Sequence, residues 1–187
     1  MSNLFTRNRL IGLAIAAVVA SLDQLVKWYV IGPLNLRSVR NIELLPFFDL
    51  TYTENRGISL GMFQATSIEM RLFLVAVTAA IGVVVLVWMM RERLLGDIAG
   101  LGLILGGAIG NIRDRWELGY VIDYADLHIG TFRPFLVFNI ADAAITIGVL
   151  IILARSLFVR DNADDRDDQP DIGPRARSTR ADVQTEN

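Results

Sequence analysis

Phe135-Leu-Val-Phe-Asn-Ile-Ala-Asp-Ala-Ala-Ile-Thr-Ile-Gly-Val-Leu-Ile-Ile-Leu-Ala-Arg-Ser-Leu-Phe158 is apolar almost throughout, yet it carries Asp142. A helix needs roughly 20 apolar residues to cross the hydrocarbon core of a bilayer, and this stretch is long enough. An ionisable side chain inside such a span is costly and by default points to function. A second aspartate, Asp123, lies just ahead of the span in Val121-Ile-Asp-Tyr124. Two converging carboxylates can share a proton and activate a water, so hydrolysis at a membrane surface is the leading reading.

Working outward, three further apolar spans run from about Leu10 to Ile31, Leu72 to Met90 and Ile98 to Ile112. The third is short and glycine-rich. Its Gly102, Gly106 and Gly110 recur every four residues, a spacing that lets helix backbones approach closely in lipid. Packing, not chemistry, is the reading for these glycines. The chain has 187 residues, of which 53% are hydrophobic. Its mean hydropathy is +0.44. These values fit a small polytopic membrane protein: membrane all-α, with four transmembrane helices. A net charge of -2 gives no sign of a nucleic-acid partner. The absence of cysteine removes disulfides, thiolate metal sites and cysteine nucleophiles. His128 is the only histidine, so any histidine metal site or Ser-His-Asp triad would rest on it.

Orientation follows from arginine placement. Arg7 and Arg9 precede the first span, Arg91 and Arg93 separate the second and third, and Arg155 and Arg160 end the fourth. These six share one side, which is assigned to the cytoplasm together with both termini. Arg37, Arg40, Arg56 and Arg133 lie on the other side, so the bias is modest. The start of the chain also has features of a secretory signal, but its apolar run continues through Leu25, Val26, Trp28 and Tyr29, which favours an uncleaved first span. Residues 1–160 are read as one membrane domain. The charged segment 161–187, with Asp161, Asp164, Asp165, Asp167, Asp168 and Asp171, is read as a disordered cytoplasmic tail.

Two segments are expected outside. In the longer, Gly32 to about Glu69, Ile42-Glu-Leu-Leu-Pro-Phe-Phe-Asp-Leu-Thr-Tyr52 reads as short strands broken at Pro46. Thr66-Ser-Ile-Glu69 matches a capping box for the second span. The other segment, Trp116 to Pro134, carries Asp123 and His128.

Asn139, Asp142 and Thr146 share one helix face, and a helix beginning at Phe135 places Asp142 roughly 10 Å inside it. Asn111, Asp114 and Arg115 form a second polar cluster at helical spacing, with Asp114 and Arg115 read as a structural ion pair. Asp23 and Lys27 are i,i+4 on the first span. They read either as a mutually neutralising pair or as groups that orient substrate. Asn55-Arg-Gly57 reads as a turn. If the two aspartates meet, like charges cannot both ionise easily, so the pair holds one proton. One member then takes a proton from water while the other donates to the scissile carbonyl. Unpaired, Asp123 is an interfacial residue and Asp142 a helix–helix hydrogen bond.

Five motifs in order, Asp23-Gln-Leu-Val-Lys27, Asn55-Arg-Gly57, Gly106-Gly-Ala-Ile-Gly-Asn-Ile-Arg-Asp-Arg115, Val121-Ile-Asp123 and Phe138-Asn-Ile-Ala-Asp142, resemble those of the lipoprotein signal peptidases (signal peptidase II). The likeness spans roughly Leu10 to Phe158. It implies four transmembrane helices with a small extracytoplasmic β-cradle. The implied activity is that of an aspartic peptidase of the bacterial inner membrane, needing no cofactor or metal. Such enzymes cut the signal peptide from a diacylglyceryl-modified prolipoprotein just before its lipidated cysteine. By this resemblance Asp123 and Asp142 are the catalytic dyad, at the outer face. Asp23, Lys27, Asn55, Gly57, Asn111, Asp114, Arg115 and Asn139 fall among its substrate-binding and supporting positions. A globomycin-type inhibitor and membrane lipid are the further implied partners. Two places depart from the family pattern: Ile58-Ser-Leu60 follows Gly57 where small residues and an aromatic are usual, and Arg113 replaces an apolar residue. Other classes remain open. A proton-coupled transporter also uses membrane carboxylates, but should place its site at the midplane between repeats. A Gly-x-Gly-Asp protease is disfavoured by Leu94-Leu-Gly-Asp97. A structural scaffold would tolerate Asp→Asn at both positions.

Overall fold

Runs of Ile, Leu, Val and Ala without proline sustain long helices here, and Pro33, Pro46 and Pro134 fall between them, where the ring's missing N–H breaks no helical ladder. The computed structural model describes residues 6–57 and 67–158. In chain order the elements are α1 (Arg7–Ile31), α2 (Leu36–Val39), β1 (Asn41–Leu45), β2 (Phe48–Asn55), α3 (Ile68–Arg91), α4 (Leu95–Glu117), β3 (Val121–Leu127) and α5 (Ile140–Phe158). Among the described residues, α1, α3, α4 and α5 are long and apolar enough to cross a membrane. The strands form one antiparallel sheet in the order β1-β2-β3.

α4 is the hub of the bundle, packed against α1, α3 and α5. Half of its apolar window is buried, against 28% or less in the other three helices. The glycines explain this. A Cβ on Gly102 would lie 2.7 Å from the Gly12 carbonyl, and one on Gly106 2.6 Å from that of Ala16, so α1 sits directly on this face. On the α5 side, a Cβ on Gly107 would strike the Ala141 carbonyl. The outward faces, including Val18, Leu25, Val83, Val84 and Leu150, are exposed apolar surface suited to lipid. At the end remote from the sheet, Arg155 Nε donates to Asp97 Oδ1 at 2.7 Å, and Asn8 Nδ2 to the Arg93 carbonyl at 3.0 Å.

The sheet caps the other end. Val30, Leu36, Leu50, Tyr52, Ile122, Tyr124 and Ala125 form the apolar cluster that fastens it to the end of α1 and to α2. The hairpin between β1 and β2 turns at Pro46 and Phe47, where the sequence reading breaks the strands. β2 bulges between Leu50 and Thr53, which bends it over β3.

The structure differs from the sequence reading at several elements. The third span forms a longer helix than its apolar run, because Asp114 and Arg115, beyond Ile112, stay helical while their side chains bond to neighbours. The helix of the fourth span begins at Ile140, not Phe135. Backbone bonds of Phe138 to Ala125 (3.0 Å from its N–H, 2.8 Å to its carbonyl) hold the preceding residues extended. Asp142 therefore lies in the first turn, not about 10 Å inside the helix. Ser67, not Thr66, caps α3, accepting from the Met70 N–H at 3.3 Å; Thr66 lies outside the described residues. β3 and α2 are elements that the sequence reading did not identify.

Gly107→Ala should therefore push α4 off α5 and destabilise the fold by about 1–3 kcal/mol, the usual scale of overpacking. Gly82→Ala, in the interior of α3 and with a Cβ that would meet nothing within 4 Å, should not destabilise and should gain up to about 1 kcal/mol of helix propensity. Thermal melts in detergent of the two variants check this.

Candidate active site

Three buried charges underlie the site. Lys27 Nζ of α1 lies 2.8 Å from Asp23 Oδ2 and 2.8 Å from Asp114 Oδ2 of α4. Asp23 is 0% exposed, Lys27 3% and Asp114 3%. The remaining oxygens are also satisfied. Asp23 Oδ1 accepts from the Ala141 N–H at 3.1 Å, at the positive end of α5. Asp114 Oδ2 accepts from the Ile122 N–H at 3.1 Å, and its Oδ1 from Gln24 Nε2 at 2.8 Å. One charge cluster thus joins α1, α4, the start of α5 and β3.

Asn111 relays this cluster to Asp142. Its Oδ1 accepts from Lys27 Nζ at 3.5 Å and from Asn139 Nδ2 at 3.3 Å, which turns its Nδ2 toward Asp142 Oδ1 at 2.8 Å. Asn139 precedes α5 and its Oδ1 accepts from the Asp142 N–H at 2.9 Å, an N-cap. The same amide donates to Asp123 Oδ1 at 2.6 Å and to the Ile122 carbonyl. Asn55 Nδ2 of β2 donates to Asp123 Oδ2 at 3.1 Å, while its Oδ1 accepts from the Gly57 N–H at 3.2 Å. Arg115 Nη2 donates to the Gly57 carbonyl at 3.2 Å, and its charge acts on both Asp123 and Asp142.

Asp123 and Asp142 line the same cavity of about 1270 Å³. Its polar lining includes Glu54, Asn55 and Arg56 beside them, and its apolar lining Leu127, Pro134 to Phe138, Ile145 and Ile147. Asp123 is 2% exposed. Burial pushes its carboxyl up to about 7, the Asp142 charge adds to this, and the amides of Asn55 and Asn139 oppose it. The arrangement offers a carboxyl pushed up toward neutrality beside a second carboxylate, in a groove lined largely by apolar side chains.

Residues 15–158 match the family described as Signal peptidase (SPase) II. The chain belongs to the signal peptidase II family. A protein named lipoprotein signal peptidase from Sphingopyxis alaskensis is 53% identical over 86% of this chain and 93% of its own length. Another, from Rhizorhabdus wittichii, is 52% identical over 86% of this chain and 94% of its own. A bacterial membrane enzyme solved by the in meso method at 1.9 Å has a TM-score of 0.67 and 28% identity, covering 79% of this chain and 93% of that one. A second, at 2.3 Å, has a TM-score of 0.70 and shares the fold at 24% identity, covering 86% and 94%. As a signal peptidase II member the protein is a protease, and aspartyl chemistry is a property of the family.

All ten residues singled out from the sequence fall in this connected network, in the cavity wall or beside it. One pairing differs from expectation. Asp114 and Arg115 do not pair with each other: adjacent helix positions face apart, so Asp114 turns to Lys27 and Arg115 to Gly57. Asp23 and Lys27 do form the neutralising pair. Thr146 lines the cavity, but its hydroxyl bonds back to the Asp142 carbonyl at 2.9 Å. His128 lies 3.3 Å from Asp49 on the sheet and is not among the cavity-lining residues. Arg113 pairs with Glu117 at 3.0 Å on the surface; Ile58, Ser59 and Leu60 lie outside the described residues. Two further residues were missed. Gln24 sits inside the quoted Asp23–Lys27 motif, and its signal was a polar side chain next to Asp23 within an apolar span. Arg71 Nε donates to the Arg115 carbonyl at 2.7 Å and its Nη2 to the Trp116 carbonyl, capping the end of α4.

Lys27→Met would leave Asp23 and Asp114 buried without their cation, so the variant should lose about 3–5 kcal/mol of stability. A fall in detergent melting temperature, read beside Arg113→Gln as a surface control that should not move, checks this.

Proposed function

We propose that this signal peptidase II member cuts diacylglyceryl-modified prolipoproteins just before the lipidated cysteine, using Asp123 and Asp142 as an aspartic dyad. The observation that carries the reading is the shared cavity: two carboxylates from different elements, each held by asparagine amides, line one groove with mostly apolar walls. Such a groove suits a substrate whose acyl chains remain in lipid while its peptide reaches the carboxylates. The names of the relatives support the same substrate class.

The chemistry follows from the environments. Asp123, buried and pushed up to about 7, holds the shared proton. Asp142 sits in the first turn of α5, and the Asn111 amide donates to its Oδ1 at 2.8 Å, so its carboxyl is held facing the cavity beside Asp123. Asp142 takes a proton from water, whose oxygen attacks the scissile carbonyl carbon as Asp123 donates its proton to the carbonyl oxygen. The tetrahedral intermediate collapses when Asp142 returns its proton to the leaving amine and Asp123 recovers one from the hydroxyl. The reaction passes through no covalent intermediate and leaves Asp123 protonated and Asp142 ionised for the next turnover.

The modest arginine bias supports a reading with both termini in the cytoplasm and the cavity at the outer face of the inner membrane. The β-sheet would act as the cradle that holds the peptide extended. Residues 1–160 make up the membrane domain, and the acidic segment 161–187 is dispensable for cleavage. A globomycin-type inhibitor would occupy the same cavity.

Asp123→Asn and Asp142→Asn should each lower cleavage of a diacylglyceryl-modified prolipoprotein by about 10²- to 10⁴-fold while the variants stay folded. Two active variants would exclude the dyad. A metal chelator should leave the wild-type rate unchanged. Because the dyad works with Asp123 protonated, kcat/KM should fall as pH rises through about 7. Stability carries the same sign. A carboxyl raised from 3.8 to about 7 favours the folded state while protonated, and that contribution is lost as pH rises toward 7. Asp123→Asn should therefore flatten this part of the melting-temperature profile.

A further inference from the structure

Beyond the dyad network, the sheet carries a second polar cluster. Asp49 of β2 and Asp126 of β3 are cross-strand partners, 7% and 1% exposed. Thr51 Oγ1 donates to Asp126 Oδ2 at 3.1 Å, and Asn41 Nδ2 donates to Thr51 Oγ1 at 2.8 Å and to Asp49 Oδ2 at 3.3 Å. His128 lies 3.3 Å from Asp49. Arg133 Nε reaches both oxygens of Asp126, at 3.2 and 3.0 Å. Side chains alternate along β3, so Asp126 stands on the face opposite Asp123.

The placement of Arg133 gives this cluster a consequence for the cavity. After β3 the chain turns back through Gly130, whose φ is +59, with a bridge between Ile129 and Phe132. Arg133 then reaches Asp126. Five residues later Phe138 pairs with Ala125 through the backbone. Pro134, Phe135, Leu136 and Val137, between these two anchors, are cavity wall. The wall is a short strap with one end fixed by an ion pair and the other by strand pairing. Only the second anchor leads directly into Asn139 and Asp142.

We infer that Asp126 and Arg133 are positioning residues that tension the 134–137 strap, and so set how tightly the apolar part of the substrate is held without acting on the dyad. This rests on the reading of the cavity as the substrate site. Arg133 is half exposed, but its carboxylate partner is buried, which fixes the direction in which the arginine folds back.

The test uses the full chain in nanodiscs as wild type, Arg133→Gln, Asp126→Asn, Arg133→Lys and the Asp126→Asn/Arg133→Gln double variant. The double variant removes both charges, so it leaves no buried carboxylate unpaired if a single variant fails to fold. Two readouts are taken: backbone hydrogen exchange across residues 135–138, and kcat and KM for a diacylglyceryl-modified prolipoprotein. The expected result is faster exchange in that segment and KM raised about tenfold, the lower end for a lost hydrogen bond to a charged group, with kcat within about twofold. Arg133→Lys should recover most of both effects. Unchanged exchange, or a fall in kcat at constant KM, would overturn the proposal. If wild type does not cut this substrate, the cleavage reading fails, and exchange alone decides whether the pair anchors the strap.

Discussion

The contact between Lys27 and its two carboxylates, Asp23 and Asp114, is the interaction on which the rest depends. Three charges out of water are expensive, and mutual attraction offsets that cost only when the other lone pairs and protons are also satisfied. Here they are satisfied by specific partners: the Ala141 N–H of α5, the Ile122 N–H of β3 and the Gln24 amide. The requirement to neutralise the cluster thus fixes the relative position of α1, α4, α5 and the sheet. Glycine at position 110 allows it, since a Cβ there would sit 2.5 Å from Asp23 Oδ2.

From that fixed frame the asparagines distribute order outward. Each has both ends of its amide engaged, so none can flip without losing a bond. Asn111 accepts from Lys27 and therefore donates to Asp142. Asn139 accepts from the α5 backbone and therefore donates to Asp123. Asn55 accepts from Gly57 and therefore also donates to Asp123. The carboxylates are oriented by amides whose direction is set elsewhere. Their environments then separate them, one deep in the sheet and the other at a helix N-terminus, which suits a pair that holds a single proton.

Much of this was legible in the sequence because a bilayer makes polar residues conspicuous. Asp23, Lys27, Asn111 and Asp142 stand out of apolar runs, and the family resemblance placed them with Asp123, Asn55 and Asn139. The hairpin was visible at Pro46. Other features depended on tertiary contacts. β3 reads poorly as a strand because Asp123 and Asp126 interrupt its apolar pattern, and both are buried only because partners from other elements reach them. The start of α5 was misplaced because Phe135 to Phe138 are as apolar as the helix that follows, and hydropathy cannot distinguish a cavity wall from a membrane span. Asp114 was given the wrong partner because sequence proximity favoured Arg115, while the helix turned it toward Lys27.

The proposed catalysis requires that Asp123 hold the shared proton near neutral pH. Infrared difference spectroscopy of the reconstituted protein during a pH titration tests it directly. The account predicts a carboxylic-acid carbonyl band that persists to about pH 7, disappears above it, and is absent from Asp123→Asn but not from a Glu43→Gln surface control. A band that is lost with the ordinary carboxylates near pH 4, or one that survives in Asp123→Asn, would contradict it.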